Sequence, residues 1–426
     1  MKNHRILLAW CLFDWASSAF PVVIITFIFG TYFTSHIATN SIIGTYQWAN
    51  AMAIAGVLVA IGSPILGAIA DNGGGHKSWL ILFTLLCVVS SFCLWFSYPD
   101  VQYVKSTLLF VILGTIGLEL SVVFYNAYLP HIAPPTYLGR ISGWAWGLGY
   151  VGGIFALSIV LFGFVKSAPA WLNSETGANV RICGPLCGLW FLIFALPFFW
   201  LAPEIDTKKL PIKDSIRQGL KDLANTLKKL PQQKSISFFL IAHMIFIDGL
   251  NTLFTFAGIF AAATFGMDLT HVILFGISMN VSAGLGAILL AWVDDYFGSK
   301  PTILFSLLCM FFLGLPIIFI HNSTLFWGMA LVLSLFVGPV QAASRSLMAR
   351  LTPSQQSTEM FGLYAFSGKI TAFVGPWLFG VSTLYFHSQR AGIASILLFF
   401  MIGGSLMAFV KEPPNDRKLA KQPNFH

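Results

Sequence analysis

Twelve apolar runs, each long enough to cross a lipid bilayer, leave this chain of 426 residues very few folds. They lie at about 6–35, 45–70, 78–98, 106–130, 139–165, 182–202, 236–264, 270–293, 301–320, 324–349, 360–386 and 392–411, and roughly 20 residues of helix span the hydrocarbon core. Inside that core every backbone N–H and C=O needs an internal partner, so such runs must be helices. The fold class expected is therefore all-α integral membrane, with twelve transmembrane helices. Composition agrees: 57% hydrophobic residues, 9% charged residues and a mean hydropathy of +0.79 exclude an ordinary soluble domain. The first run is too long for a cleavable leader, and it carries Asp14 where a leader would be uncharged.

The net charge of +8 follows topology and is no nucleic-acid footprint. With the N-terminus in the cytoplasm and loops alternating, 19 of the 24 Lys and Arg fall on the cytoplasmic side or at its edge. Lys105, Lys166, Arg181 and Arg390 fall outside, and Lys369 lies within a span. That asymmetry is what the positive-inside rule asks of a protein with both termini inside. The six cysteines all lie in apolar runs, where buried thiols pack as small apolar groups. No His-Glu-x-x-His, Gly-x-Ser-x-Gly or nucleotide loop is present, so neither an enzyme, a metal site nor a cofactor is expected.

The stretch Ala202–Ser235 is the longest polar one and holds eight Lys or Arg. We read it as a cytoplasmic connector, with an amphipathic helix over 213–229 lying along the membrane surface and its basic face toward phospholipid. The divisions are then 1–202 and 236–412 for two six-helix bundles, 203–235 for the connector and 413–426 for a cytoplasmic tail.

Within the first run, Asp14, Ser17, Ser18 and Pro21 stand at i, i+3, i+4 and i+7 and so share one helix face. An acid at the centre of a membrane helix costs about 2.5–3.5 kcal/mol, so it must face the bundle interior or water. The pattern returns as Asp248, Asn251 and Thr252 in the seventh run, again followed by Phe at i+6. Two loops also match. Gly67, Asp71 and Lys77 after the second run correspond to Ala291, Asp295, Gly298 and Lys300 after the eighth, and Pro134, Gly143 and Gly149 correspond to Pro353, Gly362 and Gly368. The offsets between copies are 234, 224 and 219 residues, in chain order. Parallel six-span repeats of this kind characterise the major facilitator fold. In the loops the small residue permits close helix approach, and the Asp accepts hydrogen bonds from backbone donors at a helix end. We expect them to latch the halves together at the cytoplasmic side. Asn72 stands where the superfamily usually has Arg, which would weaken the first latch.

Six local motifs narrow the resemblance. They are Asp14-Trp15-Ala16-Ser17-Ser18-Ala19-Phe20, Phe124-Tyr125-Asn126-Ala127-Tyr128-Leu129-Pro130, Ser142-Gly143-Trp144-Ala145-Trp146-Gly147-Leu148-Gly149-Tyr150, Asp248-Gly249-Leu250-Asn251-Thr252, Gln341-Ala342-Ala343-Ser344-Arg345-Ser346-Leu347, and Phe361-Gly362-Leu363-Tyr364 with Ser367-Gly368-Lys369. Together they resemble the branch of the major facilitator superfamily that holds the fungal vacuolar amino-acid exporters of autophagy and their bacterial relatives. Ser17 replaces the Asn associated with the first motif. The resemblance implies a monomeric secondary transporter for a small polar solute, an amino acid or related metabolite, with protons as a candidate coupling ion. It implies the bacterial inner membrane, or the vacuolar membrane if the source is eukaryotic. The alternatives are a receptor that binds without flux, and an exporter of drug-like or sugar solutes.

Four charges lie within spans: Asp14, Glu119, Asp248 and Lys369. By resemblance, the first three face a central cavity. For Asp14 and Asp248 we weigh solute binding or proton coupling against a hydrogen bond to a broken helix. For Glu119, with Asn126 seven residues on, we weigh function against an interhelical polar pair. Lys369 is suited to a solute carboxylate or to neutralising an acid, and a charge pair within the second half is also open to it. Tyr125, Trp144, Tyr150 and Tyr364 are cavity-wall candidates, and Arg345 is expected at the cytoplasmic gate.

Overall fold

The computed structural model describes residues 2–166, 169, 171–173, 175–205, 207 and 209–413, so the tail expected at 413–426 lies outside the described residues except for Pro413. Eleven helices among the described residues are long and apolar enough to cross a membrane. In the first half they are α1 His4–Ile37, α2 Ser41–Gly73, α3 His76–Phe96, α4 Val101–Ile132, α5 Pro135–Val165 and α6 Ala178–Leu201. The connector contributes α7 Ile212–Lys229. In the second half follow α8 Lys234–Phe265, α9 His271–Phe297, α10 Ser299–Ile317 and α11 Ser323–Leu351. The expected span at 360–386 is broken into α12 Ser357–Lys369 and α13 Val374–Tyr385, and α14 Gln389–Ala408 closes the bundle.

Local chemistry explains the irregular helices. Pro21 has no N–H to donate, and α1 widens at that point into π turns over Phe20–Phe27, with Ile28 N–H reaching back to Val23 O at 3.1 Å. The tetrad Phe336-Val337-Gly338-Pro339 recurs as Phe373-Val374-Gly375-Pro376. At each copy the helix stops and restarts: α11 is interrupted after Ser334 and resumes at Val337, and α13 starts at Val374. A proline there removes an amide donor and crowds the carbonyl four residues back. Asn40, Asp268, Asn322 and Ser388 cap following helices through their side chains.

The two halves meet along two equivalent seams, α2 against α12 and α5 against α9. A Cβ on Gly67 would lie 2.4 Å from Thr358 O, and one on Gly362 would lie 2.5 Å from Ser63 O. On the second seam a Cβ on Gly143 would stand 2.5 Å from Ala287 O. Only glycine allows the backbones to approach this closely.

Helix α7 is amphipathic, as its sequence suggests, but it does not simply float on the membrane surface. Its buried Ser215, Gly219, Leu223 and Thr226 dock it on the last turns of α2. A Cβ on Gly219 would meet Ala68 O at 2.9 Å, and Asn72 Nδ2 donates to Asp222 Oδ2 at 3.0 Å.

Candidate functional site: a gate and a charged pair between the halves

Polar contacts between the halves concentrate in the part of the bundle that carries the connector, here called the connector end. Their outermost layer is the pair of latches. Asp71 accepts the N–H groups of Thr358 and Glu359 at 3.2 and 2.8 Å, and its Oδ1 pairs with His76 Nε2 at 3.0 Å. Asp295 accepts Gly139 N–H at 2.8 Å and Arg140 Nε at 2.6 Å. Each carboxylate therefore sits at the start of a helix from the opposite half, where unsatisfied N–H groups and the helix dipole favour an anion. Arg140 and Glu359 are 219 residues apart, the same offset as Pro134 and Pro353, so one latch holds a cation where the other holds an acid. Gly298 makes its turn at φ +109°, a conformation glycine adopts without steric cost.

Among the described residues, Lys77 and Lys300 take no part across the seams. Lys77 Nζ donates to Ala202 O at 3.5 Å, and Lys300 Nζ donates to Ala408 O and Val410 O at 2.7 Å, each within its own half. A flexible ammonium beside uncovered carbonyls at a helix end is satisfied locally.

One layer deeper, Arg345 of α11 crosses into the first half. Its Nη1 donates to Asp14 Oδ2 at 2.8 Å and to Asn126 Oδ1 at 3.4 Å. Nε and Nη2 donate to Ser142 Oγ and Ser142 O at 2.9 and 2.7 Å. The guanidinium lies 4.7 Å over Trp10 and 5.6 Å over Trp146, and only 3% of the side chain is exposed. A planar cation with five donors suits such a site, because it bonds at its edge and stacks on its face. Asp14 is thus the counter-ion of Arg345 from the opposite half.

The hydroxyls beside the two duplicated acids bond back to their own helix. Ser17 Oγ and Ser18 Oγ donate to Asp14 O and Trp15 O at 3.2 and 2.8 Å, and Thr252 Oγ1 donates to Asp248 O at 2.7 Å. Short hydroxyl side chains in helices commonly bond back to their own turn in this way. Asn251 is exposed. Asp248 accepts Gly375 N–H at 2.9 Å, which caps the start of α13 at the break in its span. The duplicated acids have diverged: one pairs across the halves and the other secures a broken helix.

Farther in than Arg345, about 20 Å along α4 from its connector end, Glu119 Oε1 accepts from Lys369 Nζ at 2.7 Å. This pair also crosses between halves, so Lys369 is not paired within the second half. The two side chains keep 28% and 34% of their surface exposed, unlike the buried Arg345. Lys369 is the last residue of α12, and its charge complements the carbonyl end of that helix.

The aromatic candidates divide. Tyr125 is fully buried, stacked between Trp10 and Phe13 with its hydroxyl on Trp10 O at 2.9 Å, so it is core packing and not a cavity wall. Tyr364 stacks on His243 at 4.1 Å inside the second half. Trp144 is exposed, edge-on to Trp292 at 5.8 Å. Tyr150 crosses the seam, its hydroxyl donating to Gln341 Oε1 at 2.6 Å. The sequence reading missed Arg140, His76, Ser142 and Glu359 in the polar contacts at the connector end; the 219-residue repeat maps Arg140 onto Glu359 and was the available signal.

This architecture has well-defined counterparts. It matches the proton:xylose symporter XylE with a TM-score of 0.73 over 96% of this chain and 95% of that one, at 16% identity. It matches the human organic anion transporter MFSD10 with a TM-score of 0.74 over 95% and 99%, at 13% identity. The fold is that of a major facilitator transporter. The family described as "Vacuole effluxer Atg22 like" matches residues 33–418, and the chain belongs to that family. It is 26% identical over 412 residues to YxiO of Bacillus subtilis, an uncharacterized MFS-type transporter, covering 95% of this chain and 94% of that one. It is 22% identical over 391 residues to autophagy-related protein 22 of Vanderwaltozyma polyspora, covering 83% and 69%. Such relatives are transporters and not enzymes.

Proposed function

We propose that this transporter moves a small zwitterionic solute of the amino-acid class by alternating access, with Glu119 and Lys369 as the groups that receive it. The observation that carries the reading is their partly exposed ion pair, joining α4 of one half to α12 of the other beside the break in a span. A zwitterion fits by exchange: its carboxylate replaces Glu119 on Lys369, and its ammonium replaces Lys369 on Glu119. Charge is conserved at every stage, so neither side chain is left unpaired at depth. The discontinuous span beside the pair is a common setting for transported solutes.

The connector end is assigned to the cytoplasm by the positive charge around it, and the latched arrangement is then the outward-facing member of the cycle. Opening to the cytoplasm requires Arg345 to leave Asp14 and both latches to part. Protons are the coupling ion we assign, with Asp14 the carboxylate uncovered when Arg345 withdraws. The effluxer description of the family supports movement out of the compartment that holds the solute, and the similarity to a bacterial relative over most of both chains supports a plasma membrane. A thermal-shift screen against amino acids, sugars and amphiphilic drugs tests the solute class, since a ligand that binds only the folded state raises stability by mass action. Stabilisation by sugars alone would overturn the assignment.

A further inference from the structure

We propose that α7 is a strap between anionic phospholipid and the first of the two latches. The first latch has Glu359 at the repeat position where the second has Arg140. The connector helix braces it: Asn72, next to Asp71, holds Asp222 at 3.0 Å, and the buried Thr226 of α7 lies near the carboxyl of Glu359, whose own N–H Asp71 holds. One face of α7 is thus spent on the gate. The rest of its surface is divided in a way that docking does not explain. Ile212, Ile216, Leu220 and Leu227 are exposed and fall within about 80° of arc beside the docked face. Lys213, Arg217, Lys221 and Lys228 are also exposed and occupy roughly the next 80°.

An apolar stripe flanked by a basic one is the pattern of a helix seated at the lipid boundary. Position supports the same occupant. The helix is docked on the last turns of α2 and ends five residues before α8 begins at Lys234, so it lies where spans leave the bilayer. Each Lys or Arg near an anionic leaflet adds to the attraction. Phospholipid headgroups of negative charge, drawn to the basic stripe, would hold α7 against α2 and so hold the start of α12 on Asp71.

The test is hydrogen exchange on the full-length protein in nanodiscs of phosphatidylcholine alone, or with about a third phosphatidylglycerol. In the anionic discs the amides of α7 and of 358–362 are expected to exchange at least about tenfold more slowly. The quadruple variant Lys213→Gln, Arg217→Gln, Lys221→Gln and Lys228→Gln removes that difference while thermal unfolding in neutral discs stays unchanged. Should the quadruple variant fold poorly, raising the salt on the native chain replaces it and should erase the difference. Equal exchange in both discs would overturn the proposal, as would a difference that survives charge removal or high salt. Slowing in α7 without slowing at 358–362 overturns the link to the latch, and the same slowing by inorganic phosphate in neutral discs overturns the lipid. Because no flux is measured, failure here leaves the solute assignment untouched.

Discussion

Arg345 of the second half holds Asp14 of the first at 2.8 Å, and both side chains are largely out of water. Removing one partner leaves the other as an uncompensated charge at depth, which costs about 3–5 kcal/mol in buried pairs. Asp14→Ala or Arg345→Ala should therefore lower thermal stability in detergent sharply. The double variant should recover part of the loss, because no lone charge remains. Strictly additive losses in the two single variants and the double would show that the pair does not couple the halves.

Gly67 is the tightest point on the first seam. Gly67→Val places branched carbon where Thr358 O already stands 2.4 Å from a Cβ, and no side-chain movement relieves a clash with backbone. The halves must part there. A cysteine introduced as His131→Cys, whose native side chain meets Ser357 across the seam, should then label faster with a membrane-impermeant maleimide applied from the connector end. Unchanged labelling would mean that the seam does not close the pathway.

Asp248 gives a prediction of the opposite kind. Its carboxylate serves as an acceptor for Gly375 N–H, and an amide oxygen can take over that task. Asp248→Asn should retain native stability and flux, whereas Asp248→Ala should lose about 1–2 kcal/mol by uncapping α13. Loss of flux in a stable Asp248→Asn protein would return Asp248 to the transport chemistry.

The sequence carried the architecture because apolar length and duplicated loops are one-dimensional signals. The acceptor role of Asp71 and Asp295 at opposing helix starts was legible for the same reason: a helix end beside a small residue and an acid has few other uses. The broken span was missed although its cause is plain in the chain, since Phe-Val-Gly-Pro occurs twice inside apolar runs that hydropathy alone reads as continuous. Pairings between halves were not legible. Nothing in the spacing of Glu119, 250 residues from Lys369, distinguishes it from an acid paired with a neighbour, and Arg345 was expected at the cytoplasmic gate because its apolar run ends four residues later, with no signal for its partner. The symmetry of Asp14 and Asp248 was real in sequence and misleading in role, because a repeat preserves position while each half binds different partners. Asn72 likewise looked like a defect in a latch until the connector helix was seen to use it.

The central claim is that Glu119 and Lys369 receive a zwitterion. Its most direct test is counterflow of radiolabelled amino acids into proteoliposomes, with the native chain, Glu119→Gln and Lys369→Gln compared at equal reconstitution. The pair is partly exposed, so each substitution should cost no more than about 1 kcal/mol of stability. Counterflow should fall at least about tenfold in each variant, the loss expected when a charged partner of a bound ion is removed. Native counterflow in both stable variants would contradict the account.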